Sequence, residues 1–351
     1  MSKDYEPLHQ KYRPKCFDDL VGQESIALTL KQAITTNHIA PAYLFCGPRG
    51  TGKTSSARIL ARSLNCLSSN KPTIIPCDNC ELCKTISLGS ALDVIEIDAA
   101  SNTGVDNIRE LIEKSQFAPV KARWKIYVID ECHMLSTAAF NALLKTLEEP
   151  PNKVVFILAT TDPQRVLPTI ISRCQKFDFR RISLENLSAH LSMIASKEDI
   201  AIEASALEMI AKHAQGGLRD AESMLDQLSL LPPPIQQNSV LDLLGVIPEN
   251  ELLNLVQSLS QSEPISTLKI CRNLLELGRE PISILQGFAS ILRDLVISIA
   301  APEQPELFNI SNELHEELKK ISEHMNLNDI FRWQAQLRGA ENRLRHSLQP
   351  R

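Results

Sequence analysis

The sequence predicts an α/β domain built on a parallel sheet, followed by an all-α region. Three observations predict it. Short apolar runs alternate with helical stretches as far as Phe179, a glycine-rich loop at Gly47 to Thr54 joins one such run to a helix, and after Phe179 the strand pattern stops. With 351 residues, 43% of them hydrophobic, the chain is long enough for two or three domains with cores of their own. Only 5% are aromatic, and Leu, Ile and Ala recur at helical spacing, so most of the chain should be helix.

The stretch Lys11 to Gln23 reads as extended, with Gly22 ending the extension and a helix opening at about Glu24. Ile26, Ala27, Leu30 and Ala33 give that helix an apolar face. Ala42-Tyr43-Leu44-Phe45-Cys46 has the length and apolar character of a buried strand, and Ser55 to Leu64 carries Ala57, Leu60, Ala61 and Leu64 on one helical face. Further strands are expected at Asp93 to Ile97, Lys125 to Asp130, Val154 to Ala159 and Gln175 to Phe179, with helices at Val105 to Phe117 and Thr137 to Glu149 between them. Such alternation implies parallel strands with helices on both faces. One helical group then runs from Ser183 to Leu231 and ends at Pro232-Pro233-Pro234, a break that no helix crosses. A second fills Ser239 to Ser347, with apolar spacing such as Leu252, Leu255, Val256 and Leu259, and no internal repeat is evident.

Charge narrows the function classes. Thirty-seven basic residues against 42 acidic ones leave a net charge of −5, so the chain is not a general polyanion binder; nucleic acid would be held by local groups or by an assembly. No stretch approaches the apolar length needed to cross a bilayer, and the polar start Met1-Ser2-Lys3-Asp4 lacks a signal-peptide pattern, which together predict a cytoplasmic protein without a membrane partner. In that reducing compartment the nine cysteines are expected as thiols and metal ligands.

The loop Gly47-Pro48-Arg49-Gly50-Thr51-Gly52-Lys53-Thr54 has the pattern of a phosphate-binding loop, and it sits between a strand and a helix as that function requires. Its glycines let the backbone turn tightly and aim N–H groups at phosphate oxygens, at the positive end of the following helix. Lys53 is then placed for the β- and γ-phosphates of ATP and Thr54 for a magnesium ion. Ile126 to Asp130 is a strand ending in two carboxylates, Asp130 and Glu131, and ligands bind at such strand ends. Asp130 would support the magnesium ion and Glu131 would polarise a water for in-line attack. Thr160-Thr161 ends another strand, where a hydroxyl either bonds the attacking water or simply caps a turn. Arg173, in Ser172-Arg173-Cys174, and Arg219, at a helix start after Gly216-Gly217, are each either surface cations or guanidiniums aimed at phosphate charge.

Cys77, Cys80 and Cys83 lie at Cys-x-x-Cys-x-x-Cys, with Cys66 shortly before, a set able to fold four thiolates around one zinc ion. An iron–sulfur run would want a Cys-Pro soon after Cys83, where Lys84-Thr85 stands. Cys16, Cys46, Cys132, Cys174 and Cys271 are scattered and read as small core residues.

Lys11-Tyr12-Arg13-Pro14, Leu20-Val21-Gly22-Gln23, the phosphate loop, the four cysteines, Ile97-Asp98-Ala99-Ala100-Ser101, Asn141 to Pro151 and Ser172-Arg173-Cys174, in this order, resemble the gamma/tau subunit family of bacterial DNA polymerase III, the ATP-driven motor of the sliding-clamp loader. The match spans almost the whole chain. The resemblance implies an AAA+ fold: a nucleotide-binding domain at 1–182 with a zinc module at 66–83, a three-helix lid at 183–234 and a helical collar at 235–351. It implies ATP, Mg2+ and Zn2+ as ligands. As partners it implies delta- and delta-prime-type subunits and copies of the chain itself in a five-subunit ring, with the sliding clamp and primed DNA. It places Thr161 at the first sensor position, Arg219 at the second, and Arg173 at the arginine finger that reaches a neighbour's ATP. Tyr12, Arg13, Pro14, Leu20 and Val21 match the stretch lining the adenine pocket. Two departures stand out: Cys132 replaces a more usual valine, and Asn102 and Gly104 stand where basic residues would face DNA, leaving Arg109 as the clearest contact. Two other readings compete, a ring subunit that binds nucleotide without hydrolysing it and another AAA+ DNA motor such as a branch-migration helicase. The intact Lys53, Thr54, Asp130 and Glu131 weigh against the first, and the cysteine cluster with Ser172-Arg173-Cys174 against the second.

Overall fold

Five parallel strands form one sheet in the order β2-β3-β4-β1-β5, where β1 is Ala42–Cys46, β2 Val94–Asp98, β3 Lys125–Asp130, β4 Val154–Thr160 and β5 Gln175–Asp178. The computed structural model describes residues 5–245, 247–304, 307, 308, 310 and 314–345. The expected polar start Met1 to Asp4 and helix end at Ser347 lie outside the described residues. The chain separates into two compact units, Met1–Ile235 and Gln236–Arg351.

In the first unit the central strands β1 and β4 are buried along their whole length, because helices cover both faces of the sheet. Side chains alternate between two cores. Tyr43, Phe45, Val128 and Ile157 face one, with Leu30 and Leu60; Leu44, Tyr127, Ile129 and Leu158 face the other, with Phe140 and Leu143. At the edge, β5 buries only Phe177 and turns Lys176 and Asp178 to water, as a strand with one partner can.

Seven helices accompany this sheet: α1 (Leu8–Lys11), α2 (Glu24–Thr35), α3 (Lys53–Asn65), α4 (Glu81–Ser87), α5 (Val105–Ser115), α6 (Thr137–Glu148) and α7 (Pro168–Ile171). The buried face of α2 is completed by Ile34 rather than Ala33, which is only half-buried. Three more helices follow, α8 (Leu184–Lys197), α9 (Ala204–His213) and α10 (Leu218–Leu228). Ser183 caps α8, its side chain accepting from the Asn186 N–H at 3.3 Å. The proline run does not release the chain at once: Ile235 donates its N–H to the Ala201 carbonyl at 2.8 Å and accepts from the Glu203 N–H at 3.0 Å.

Among the described residues every regular element of the second unit is a helix: α11 (Gln237–Leu244), α12 (Glu249–Ser260), α13 (Pro264–Glu276), α14 (Pro281–Ala300), α15 (His315–Glu323) and α16 (Leu327–Arg345). The expectation that no apolar stretch has membrane-spanning length is corrected by α14, a helix of 20 residues that contains an 18-residue stretch of mean hydropathy 1.6. Here one face of it is buried in a helical bundle, with 39% of that stretch buried. Leu292 and Leu295 are fully buried with Val256 and Leu318, and the buried Asp294 carboxylate, in mid-helix, accepts from the Ile310 N–H at 2.9 Å.

Asp93, expected to begin a strand, directly precedes β2, and its backbone carbonyl still accepts from the Ile126 N–H of β3 at 2.8 Å. Its buried carboxylate accepts the backbone N–H groups of Val120, Lys121 and Ala122 at 2.8, 2.7 and 2.8 Å, tying the loop before β3 to the start of β2. Burial alone would raise its pKa; the three amides and Lys125 outweigh it and hold the carboxyl below its ordinary value. Because the folded pKa is depressed, the stabilisation is fully present above the unfolded carboxylate range and is lost as pH falls through the folded value. We expect Asp93→Asn to lower the unfolding free energy by about 1–3 kcal/mol at neutral pH, with the deficit shrinking in acid. Urea titrations at neutral and acidic pH check this, and an equal deficit at both would contradict it.

Candidate active site

Where β1 ends, the chain has no room for a side chain. A Cβ on Gly47 would lie 2.4 Å from the Phe179 carbonyl oxygen, so the loop must start with glycine to pass beside β5. Gly50 and Gly52 then take φ of 74° and 97°, the left-handed region, and turn the chain into α3, whose first residue is Lys53. The loop also meets α10 directly. The Leu218 N–H donates to the Gly50 carbonyl at 3.0 Å, and a Cβ on Gly50 would stand 3.1 Å from the Gly217 Cα.

A cavity of about 580 Å3 opens over the loop. Arg49, Gly50, Thr51, Gly52, Lys53 and Thr54 line it, with Asp130 and Glu131 from the end of β3 and Arg219 from the first turn of α10. Arg13, Pro14, Leu20 and Val21 supply another side. Thr54 Oγ1 donates to Asp130 Oδ2 at 2.7 Å, which puts hydroxyl and carboxylate where one hard cation would find two oxygen donors. Lys53 is buried, and its ammonium donates to the carbonyls of Gly47 and Pro48, both at 2.8 Å. Burial lowers its pKa, against the opposing pull of Glu131 and Asp130. Burial likewise brings the Arg13 guanidinium down to about 10, helped by Arg58.

Glu131 sits at φ 46°, a left-handed conformation rare for a glutamate, in the turn between β3 and the short helical turn Cys132–Met134. Its N–H donates to Asp130 Oδ1 at 2.9 Å. Its Oε2 accepts from the Thr161 hydroxyl at 2.8 Å and the Thr161 N–H at 3.3 Å, and lies 3.4 Å from His133 Nδ1. Thr161 therefore reaches the cavity through Glu131 and does not line it.

Other expected residues lie elsewhere. Gly47 and Pro48 support the loop without lining the cavity, and Pro48 faces a separate cavity beside His213 and Gln215. Tyr12 turns away from the cavity: its hydroxyl bonds Glu198, next to Lys11, and the Lys197 ammonium stands 5.8 Å from its ring centre. Arg173 lies beyond the first residues of β5, while the loop follows the last residue of β1; Tyr43 pairs Gln175 and Cys46 pairs Asp178. With about 3.3 Å per residue, the finger candidate and the cavity sit at opposite ends of the sheet. Its guanidinium bonds Glu148 and, at 2.7 Å, the Thr169 carbonyl. Arg109 is exposed on α5, 3.2 Å from Asp106.

The structure also brings in residues that sequence reasoning missed. Arg58 lines the cavity, and its only sequence signal was its place one turn beyond Thr54 on the loop's helix. Glu222, one turn after Arg219, lines it too; its buried carboxyl has a pKa raised by burial and contacts His190 Nε2 at 3.0 Å.

The four cysteine sulfurs, of Cys66, Cys77, Cys80 and Cys83, lie within 4.8 Å of one another. Three backbone amides point at them: Cys77 N–H to the Cys66 sulfur at 3.3 Å, Cys80 N–H to that of Cys77 at 3.4 Å and Cys83 N–H to that of Cys80 at 3.4 Å. The amides of Cys80 and Asn79 pull the Cys77 thiol down to about 6. Burial pushes the Cys83 thiol up; four converging soft donors, three of them facing an amide, fit a tetrahedral thiolate site, which at a metal–sulfur distance of about 2.3 Å asks for sulfurs about 3.8 Å apart. Cys46 and Cys132 are buried core residues, whereas Cys16, Cys174 and Cys271 are half-buried.

Sequence models of three families match consecutive parts of the chain: "DNA polymerase III, delta subunit" over residues 22–183, "DNA polymerase III clamp loader subunit, ATPase lid domain" over 186–228, and "DNA polymerase III subunits gamma and tau domain III" over 235–351. The chain is 44% identical to DNA polymerase III subunit tau of Bacillus subtilis over 85% of its length. The chain belongs to the gamma/tau family of DNA polymerase III subunits. It is also 39% identical over 93% of its length to the tau/gamma subunit of Haemophilus influenzae. This gamma/tau chain spans about half of these relatives, 53% of the first and 46% of the second. A RuvB Holliday junction branch migration motor of Thermotoga maritima superposes with a TM-score of 0.51 at 19% identity, covering 70% of this chain and 78% of that one. That likeness concerns the fold, the AAA+ arrangement of sheet, lid and helical C-terminal domain.

A methyl group at Gly47 should force β1 and β5 apart. We expect Gly47→Ala to destabilise the first unit by about 1–3 kcal/mol, read by denaturant titration; an unchanged midpoint would show that the loop has slack the structure does not have.

Proposed function

We propose that this gamma/tau chain is an ATP-hydrolysing motor of a clamp loader, which opens a ring-shaped sliding clamp and places it on primed DNA in the cytoplasm. It would work in a five-subunit ring with delta- and delta-prime-type subunits and copies of itself. The observation that carries the reading is the convergence of Lys53, Thr54, Asp130 and Glu131 on one cavity over the phosphate loop. A ring subunit that only binds nucleotide has no use for Glu131 beside Thr54 and Asp130. The RuvB likeness favours an AAA+ motor of some kind, and the family membership favours clamp loading over branch migration.

In this reading the loop amides and Lys53 bind the triphosphate, and Lys53 exchanges its two carbonyl partners for phosphate oxygens. Thr54 and Asp130 would hold the magnesium ion, which neutralises phosphate charge when bound. Glu131 takes the proton of the attacking water, and Thr161 orients its carboxylate. Arg219, on α10, reports lid position at the phosphates, since α10 is bonded to the loop through Leu218. Arg13, Pro14, Leu20 and Val21 form the adenine side. Arg173 acts on a neighbour's ATP, because its own cavity is at the other end of the sheet. Cys66, Cys77, Cys80 and Cys83 hold one structural zinc ion as thiolates, with no position left open for catalysis.

Two substitutions separate binding from chemistry. Lys53→Ala should weaken both nucleotide binding and hydrolysis, whereas Glu131→Gln should bind ATP and hardly turn it over; normal turnover in Glu131→Gln would move the base elsewhere. A second test uses assembled complexes. Arginine fingers raise turnover by about 10³- to 10⁵-fold in other phosphate-loop enzymes, so Arg173→Ala should abolish most activity. Mixing Arg173→Ala chains with Lys53→Ala chains should restore part of it at interfaces that combine an intact loop with a neighbour's intact arginine. An assembled Arg173→Ala ATPase as fast as wild type would rule out action in trans.

A further inference from the structure

Two arginines one helical turn apart, Arg58 and Arg62, leave α3 towards the four-cysteine module. Arg58 is gripped by both carboxylate oxygens of Glu96, at 2.8 and 3.0 Å, and donates to the Ser87 carbonyl at 3.5 Å. Arg62 is buried, and its guanidinium joins three separate pieces of chain. Its Nη1 donates to the carboxylate of Asp78, inside the turn between Cys77 and Cys80, and to the Ser87 hydroxyl at 3.3 Å. Its Nη2 donates to the carbonyl of Lys15. One of these partners, Ser87, lines the cavity, and another, Lys15, directly follows Arg13 and Pro14, which line it.

We infer that Arg62 is a positioning residue through which the four-cysteine module sets one wall of the nucleotide cavity. The inference rests on the nucleotide and zinc readings above. A buried guanidinium must be paired, and its planar fork fixes the directions of all its bonds at once. Thiolates gathered at one point hold the Cys77–Cys80 turn and with it Asp78; Asp78 holds Arg62; Arg62 then fixes Ser87 and the backbone behind Pro14. The Cys80 side chain accepts from the Cys83 amide and starts α4, which ends at Ser87, so the same module reaches that wall by a second route. Loss of the module's order should therefore be felt as weaker nucleotide binding, although no cysteine touches the cavity.

Asp78 offers the cleanest test, because it sits at φ 55°, where asparagine is equally at home, so Asp78→Asn removes the charge and keeps the turn. The full chain would be compared as wild type, Asp78→Asn, Arg62→Met, the double variant, and wild type stripped of zinc by a chelator. Zinc per chain, affinity for a fluorescent ATP analogue with magnesium, and KM and kcat for hydrolysis would be measured. We expect Asp78→Asn to keep one zinc per chain and bind the analogue about tenfold more weakly, with KM raised and kcat unchanged, a split that general destabilisation does not produce. The double variant should bind no more weakly than Arg62→Met alone, since both act through one contact, and zinc-stripped wild type should show a similar loss. Should Arg62→Met not fold, Asp78→Asn and zinc removal decide. Wild-type affinity in Asp78→Asn and in the zinc-stripped protein, or losses that add in the double variant, would overturn the inference. A wild-type chain that binds no nucleotide, or holds no zinc, would instead overturn the reading beneath it, and this inference with it.

Discussion

The hydrogen bond between Thr54 and Asp130 is the point on which the site depends, since it joins the first turn of α3 to the end of β3 across the intervening strand β4. Parallel strands deliver all their C-terminal ends to one edge, so residues far apart in sequence arrive together there without any loop having to be long. Glu131 and Thr161 meet at the ends of adjacent strands β3 and β4 for the same reason. Arg173 misses the site for that reason too, because it precedes a strand where the others follow one.

Charge inside the first unit is concentrated where pieces of chain without regular structure must be held. Asp93 collects three amides of the loop before β3. Arg123 donates to the carbonyls of Leu64, Cys66 and Ser69, and Arg62 to that of Lys15. Each holds backbone that the local chain leaves without a ladder partner, and each is tolerated because most of its donors or acceptors are used; of the Arg62 guanidinium only Nε is left without a partner. The four-cysteine loop is surrounded by such contacts, which is why an insertion with little apolar core of its own keeps a defined shape.

Much of this was legible in the sequence, for identifiable reasons. The strand runs of β1 and β3 are continuous and apolar and were readable to the residue; β4 runs one residue further than expected, to Thr160, β5 ends one residue earlier, at Asp178, and β2 is shifted by one residue at both ends. The phosphate loop, the paired carboxylates and the cysteine spacing are short-range patterns, so they could be read without knowing the fold. Arg58, Arg62, Glu222 and the turning of Tyr12 towards Glu198 could not. They depend on which helix faces which, and Tyr12 in particular follows a charge partner 186 residues away. Helix α14 shows the opposite failure, in which an apolar run of membrane length was passed over in sequence; one face of it packs in a core shared with α12, α13, α15 and α16.

The anchoring of Ile235 to Ala201 and Glu203 has a mechanical meaning. The backbone that leads into the second unit departs from the lid and has no strand of the sheet beneath it. Any rotation of the lid would carry the root of that tether with it. Since α10 of the lid is itself hydrogen-bonded to Gly50, the phosphate loop and the tether root are attached to one group of three mutually packed helices.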